Sequence, residues 1–161
     1  MLDKRVLDAL NEQIKNEMYS SNLYLAMAAY CENANLPGFA HWLKKQAQEE
    51  LGHAMRLYEY VADRGGRVVI LAIDQPPVEY DSPLGVFVKT YEHEQHVTAL
   101  IHQLYELAGT VKDHATQSML KWFIDEQVEE EKSAALIVEQ LKMAGPSGHA
   151  TIMMDRALAQ R

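Results

Sequence analysis

Cysteine is almost absent: Cys31 is the only one in 161 residues. No intramolecular disulfide can form, and zinc or iron–sulfur sites built on several thiolates are excluded. A single thiol fits a reducing compartment, so a cytoplasmic location is expected. Basic residues are in deficit, 15 against 23 acids, for a net charge of −8. That balance argues against nucleic acid or anionic membranes as partners and leaves cations as plausible ones. No apolar run approaches the ~18 residues of a membrane span. The opening residues MLDKRVLDALNEQ lack the apolar stretch of a signal peptide. Proline and glycine are scarce as well, and their placement is informative. All five prolines (Pro37, Pro76, Pro77, Pro83 and Pro146) fall at breaks, as do Gly38, Gly65, Gly66, Gly109, Gly145 and Gly148. What remains is 48% hydrophobic and 24% charged, a composition that rules out a mainly disordered chain. The length fits one domain, residues 1–161, with enough chain to bury a core.

Between the breaks the sequence predicts four long helices, about 4–34, 39–64, 83–108 and 113–143, and a short fifth at about 147–158. Ser82-Pro83 opens the third with a capping residue and a first-turn proline. Each long stretch carries one apolar stripe at helical spacing, such as Leu7, Leu10, Ile14, Tyr24, Ala28 and Cys31 on the first. Such helices are about 40–45 Å long at ~1.5 Å per residue. The expected fold class is therefore all-α, a four-helix bundle.

Residues 65–82, GGRVVILAIDQPPVEYDS, are too long for a tight turn. At up to ~3.3 Å per residue they can run the length of the bundle, which would make the second and third helices parallel. The apolar run Val68–Ile73 would then lie on the outside, either in a groove of its own bundle or in a subunit interface. A shared dimer interface is the favoured of the two.

Every stripe is interrupted by carboxylate near its midpoint: Glu17, Glu50, Glu94, and Glu126 with Glu130. His53 follows Glu50 by three residues, on the same helix face. Midpoints of long bundled helices lie at about one level, so these side chains should converge inside the core. Buried carboxylates must be protonated, paired or metal-bound. Lys15, Lys44, Lys45 and Lys121 lie near in sequence but off the stripes. A metal cluster is the economical answer, and hard oxygen ligands with one imidazole suit iron or manganese. Helix-borne Glu-x-x-His offers a bridging carboxylate and a nitrogen ligand at the right spacing. One stray glutamate would mean little; four helices interrupted at the same level are not expected by chance.

With these residues in view, the whole chain resembles the ferritins, and among them the bacterial non-haem ferritins. The resemblance rests on Glu17 within Asn-Glu-Met-Tyr-Ser-Ser-Asn-Leu-Tyr, on Glu49-Glu50-Leu-Gly-His53, on Glu94, and on Asp-Glu126-Gln127-Val-Glu129-Glu130. It implies a ferritin-like bundle with one long crossover, in a homo-oligomeric shell of 24 subunits with the fifth helix at the four-fold axis. It also implies a ferroxidase centre that oxidises Fe(II) with O2 or H2O2, and Fe(III) oxyhydroxide stored inside the shell. Glu17, Glu50 and His53 would hold the first iron, and Glu50, Glu94 and Glu130 the second, with Glu50 bridging. A third iron position would use Glu49, Glu126, Glu129 and Glu130. Tyr24 would stand beside the centre as an electron donor, Gln127 beside the second site to orient oxygen or a ligand, and Trp122 nearby.

Neighbouring families fit less well. Bacterioferritins carry a second Glu-x-x-His on the fourth helix, where this chain has Glu130, and a haem-binding methionine where it has Gly52; no haem is expected. Rubrerythrins add paired cysteines. Mini-ferritins lack the fifth helix and build their site between subunits. His93 and His96 read as a solvated face rather than a surface metal pair. Asp113, His114 and Gln117 stand where the family places three-fold channels. Two rival readings share parts of the pattern: a di-iron oxidase that stores nothing, and a purely structural bundle. Setting seven acids aside for the centre and its rim leaves 16 against 15 basic residues, so the acid excess is mostly the site.

Overall fold

The long helices begin where a side chain can take up free backbone N–H groups. Asp3 accepts from Arg5 N at 2.9 Å and opens α1 (Lys4–Asn33). Ser82 accepts from Gly85 N at 2.9 Å and opens α3 (Pro83–Thr110). Asp113 accepts from Thr116 N at 3.1 Å and opens α4 (His114–Ala144). The computed structural model describes residues 1–161; α2 (Pro37–Asp63) and α5 (Gly148–Leu158) complete an all-helical architecture. α2 starts at Pro37 itself, two residues ahead of the expected 39, because proline suits the first helical position. Its neighbour Leu36 supplies no side-chain cap. Asp155 of α5 does so instead, accepting from Gly38 N at 2.8 Å and Phe39 N at 3.0 Å. A Cβ on Gly38 would stand 1.7 Å from the Asp155 carbonyl oxygen, so glycine is what lets α5 approach. α3 runs through Gly109 to Thr110; there the missing Cβ makes room for Gln117, whose Nε2 would otherwise be 2.8 Å away.

α1 and α2 pair as one antiparallel hairpin and α3 and α4 as another, each joined by a three-residue link. The crossover between α2 and α3 is tied at both ends of α1. Near one end Asn11 donates to the Arg67 carbonyl at 3.2 Å and accepts from Val69 N at 3.0 Å. Near the other, Tyr80 packs edge-on against Tyr30, ring centres 5.5 Å apart. Those anchors on α1 are 19 residues apart in sequence, about 28 Å of helix. The crossover thus spans the bundle, and α2 and α3 run parallel. Along it Val68 packs inward on the core, whereas Val69 and Ile70 are exposed.

The core is split in two. One apolar cluster gathers Met27, Phe39, Trp42, Leu43 and Phe87 at the end carrying α5. The other gathers Leu10, Ile14, Leu57, Ile101 and Phe123 at the opposite end. Between them lies a layer of buried polar side chains, which is where the four stripes are interrupted. No helix is long and apolar enough to cross a membrane.

Candidate metal centre

The polar layer brings together Glu17 from α1, Glu50 and His53 from α2, Glu94 from α3 and Glu130 from α4. All five are at most 6% exposed. Their ligand atoms form two groups, Glu17–Glu50–His53 and Glu50–Glu94–Glu130, each with atoms within 4.8 Å of one another. Glu50 belongs to both, the position of a bridging carboxylate. His53 Nδ1 lies 3.1 Å from Glu50 Oε2 and 3.9 Å from Glu17 Oε2. Trp122 and Phe123 meet the imidazole edge-on, at 5.4 and 6.0 Å between ring centres. Arg56 lies over Trp122, its guanidinium carbon 4.2 Å from the ring centre.

Amide and phenol donors hold the carboxylates in place. Gln13 Nε2 donates to Glu17 Oε1 at 2.8 Å. Gln46 Nε2 donates to Glu50 Oε1 at 3.0 Å and to Glu130 Oε2 at 2.6 Å. The Tyr24 hydroxyl donates to Glu94 Oε1, and Gln127 Nε2 lies 3.1 Å from Glu94 Oε2. Tyr24 and Gln127 therefore both sit on the second group. Gln13 and Gln46 were not singled out from the sequence. A signal exists, since each precedes a converging glutamate by four residues, the spacing that stacks side chains on one helix face.

These donors do not satisfy the site. Glu17 Oε2 and Glu130 Oε1 are buried without any hydrogen-bond partner. Burial pushes the Glu17 carboxyl up to about 8, with the Glu50 carboxylate adding to it. Burial likewise raises Glu94 to about 7 against the hydrogen bonds from Tyr24 and Gln127. Glu130 also rises to about 7, from burial first and then the Glu94 charge. Glu50 is driven well above the carboxylate range by burial and by Glu94 and Glu130. Without a cation the layer holds protons at neutral pH; cations replacing them would satisfy the orphaned oxygens.

The residues read as a third position separate. Glu126 converges with His53 and Glu130 in a further group of ligand atoms. Glu49 and Glu129 stand outside it. Glu49 is paired with Arg161 at 2.7 Å, and Glu129 is 68% exposed with Lys132 4.0 Å away. Asp113 is committed to Thr116 and to Arg64 at 3.1 Å, while His114 is exposed. His93 is turned inward, its Nε2 2.7 Å from Ser20 Oγ and its ring edge-on to Tyr24. Burial lowers its pKa to about 4, so it is neutral there. His96 is exposed.

A family model described as a ferritin-like domain matches residues 7–144. This chain belongs to the ferritin family. It is similar over its whole length to proteins named bacterial non-heme ferritin. The one from Bacteroides fragilis is 46% identical, with all of both chains covered. The one from Staphylococcus saprophyticus is 40% identical, covering 100% of this chain and 96% of the relative. Among solved structures, an open-pore ferritin from the archaeon Archaeoglobus fulgidus superposes with a TM-score of 0.99 at 46% identity, covering 100% of this chain and 99% of that one. Within a ferritin fold, the grouping around Glu50 is compatible with a di-iron site.

Proposed function

We propose that this ferritin is an iron-storage protein. It oxidises Fe(II) with O2 or H2O2 at the centre around Glu50 and deposits Fe(III) oxyhydroxide inside a hollow homo-oligomeric shell of 24 subunits in the cytoplasm. The observation that carries the reading is Glu50, whose carboxylate belongs to both ligand groups while Glu17 and Glu130 keep buried oxygens free. Iron is the substrate. Glu17, Glu50 and His53 bind one ion, and Glu50, Glu94 and Glu130 a second. Two irons ~3.5–4 Å apart can share one oxidant. Together they supply two electrons, enough to reduce O2 to H2O2, or H2O2 to two waters.

The protein's own part is proton handling and orientation. Arrival of two dications releases the protons held by the raised carboxyls, and hard anionic ligands then favour the ferric product. Gln46 keeps the free lone pairs of Glu50 and Glu130 turned to the centre. Tyr24 is placed to give one electron to the oxidant, O2 or H2O2, with its proton passing to Glu94 Oε1, to which it already donates. Gln127 keeps the other Glu94 oxygen oriented. A third position on Glu49, Glu126, Glu129 and Glu130 gives the product somewhere to move. The exposed Val69 and Ile70 are covered by a second subunit in this reading. Mixing Fe(II) with the protein under air, then sizing the loaded particle, tests the proposal. Rapid oxidation with an iron core inside a large shell is expected. Oxidation by a small particle without a core would make it a non-storing oxidase.

A further inference from the structure

Glu49 is already taken. Arg161 Nη2 donates to its Oε2 at 2.7 Å. The guanidinium is itself fixed: Nη1 donates to the Trp42 carbonyl at 3.2 Å, and its carbon stands 4.3 Å from the centre of the Trp42 ring. His41 Nε2 lies 2.9 Å from the Arg161 carbonyl oxygen. The Arg161 side chain is only 26% exposed, against 49% for Glu49. An isolated surface ion pair would mean little. Here a ring, a backbone acceptor and a carboxylate hold one planar fork at once, which an ammonium cannot reproduce.

We propose that Arg161 is a built-in competitor for iron at Glu49, a positioning residue that keeps the third iron position weak. The inference rests on the reading of a third position beside the di-iron centre. Glu126 already converges with His53 and Glu130. Held on Arg161, Glu49 stands outside that group, so it joins them either by swinging off the guanidinium or through its other oxygen with the guanidinium's positive charge opposing the ion; both routes weaken the position. Arg161 follows α5, and Asp155 fixes α5 to the first turn of α2. The tail of α5 thus sets how tightly the third ion is held, while the two tighter positions one residue further along α2 are left alone. A weak third position passes iron onward rather than retaining it.

Calorimetric titration of the assembled protein with Zn(II), a redox-inert probe, tests this. Compared are the wild type, Arg161→Gln, Arg161→Lys, Glu49→Gln and the Arg161→Gln/Glu49→Gln pair, each checked for helix content and particle size. Arg161→Gln is expected to tighten the weakest equivalent roughly threefold, the size of a released surface pair. The two tight equivalents should not move. Arg161→Lys should fall in between, and Arg161→Gln should have no effect once Glu49 is glutamine. A weak equivalent that appears only in Arg161→Gln also supports the proposal. An unchanged weak equivalent, a shift confined to the tight pair, or no third equivalent in any variant overturns it. Absence of the tight pair in the wild type would instead overturn the di-iron reading.

Discussion

The Gln46 amide nitrogen lies 2.6 Å from Glu130 Oε2, and the same nitrogen lies 3.0 Å from Glu50 Oε1. One amide on α2 therefore sets the spacing between carboxylates of α2 and α4. Replacing it with leucine removes both donors and leaves the ligands themselves intact. Outer partners of metal ligands are typically worth 10–100-fold in affinity. Gln46→Leu should weaken the two-metal centre by about tenfold in an anaerobic Co(II) titration, with helix content unchanged.

The raised carboxyls make the metal-free protein sensitive to pH. Glu17 at about 8 and Glu94 and Glu130 at about 7 compare with an ordinary 4.5. Between 4.5 and those values the folded state binds more protons than the unfolded state, so stability falls as pH rises. Each group contributes at most about 1.4 kcal/mol per pH unit in that window. Below it both states are protonated, and above it the penalty is constant. The melting temperature of the metal-free protein should fall from pH 5 to 8, and that of the Zn(II)-loaded protein should fall less. Loading at pH 6.5 should release more protons than loading at pH 9.

Tyr24 donates to Glu94 and holds its carboxyl down against burial. Tyr24→Phe removes that donor and the phenol's electron, but two irons already supply the two electrons of the first reduction. Glu94 should then keep its proton to higher pH, moving the acid limb of the rate profile upward. Fe(II) oxidation should slow by about tenfold at pH 6.5 and much less at pH 8.5. An unshifted profile would remove Tyr24 from the proton handling.

Asp155 caps α2 from a helix more than a hundred residues away in sequence. Asp155→Ala should cost about 1 kcal/mol, the usual loss for a helix cap. Gly38→Ala should cost more, because its Cβ meets the Asp155 backbone at 1.7 Å. Both variants should keep Fe(II) oxidation at the centre, since neither residue touches it; thermal melts and oxidation rates on the same samples check both halves.

The convergence of the central carboxylates and His53 was legible in the sequence because a helix repeats its face. Glu17, Glu50, His53, Glu94 and Glu130 each interrupt an apolar stripe, and a stripe can turn only one way, into the bundle. The crossover was legible because 18 residues without helical spacing must go somewhere. The supporting shell was harder to see. A glutamine on a stripe, such as Gln46, looks like any tolerated core amide until its acceptors on two helices are known. Glu49 and Glu129 are chain neighbours of ligands, but one residue turns about 100° around a helix, and both lie exposed. Asp155 with Gly38 and Arg161 with Glu49 join residues over a hundred positions apart, a distance at which no periodicity speaks.

Glu50 belongs to both ligand groups, so its loss should dismantle both iron positions at once. The most direct test is the initial rate of Fe(II) oxidation under air by Glu50→Ala against wild type, with helix content and particle size shown to be equal. The rate should fall by about 100-fold or more. A Glu50→Ala protein that oxidised Fe(II) as fast as wild type would contradict the account.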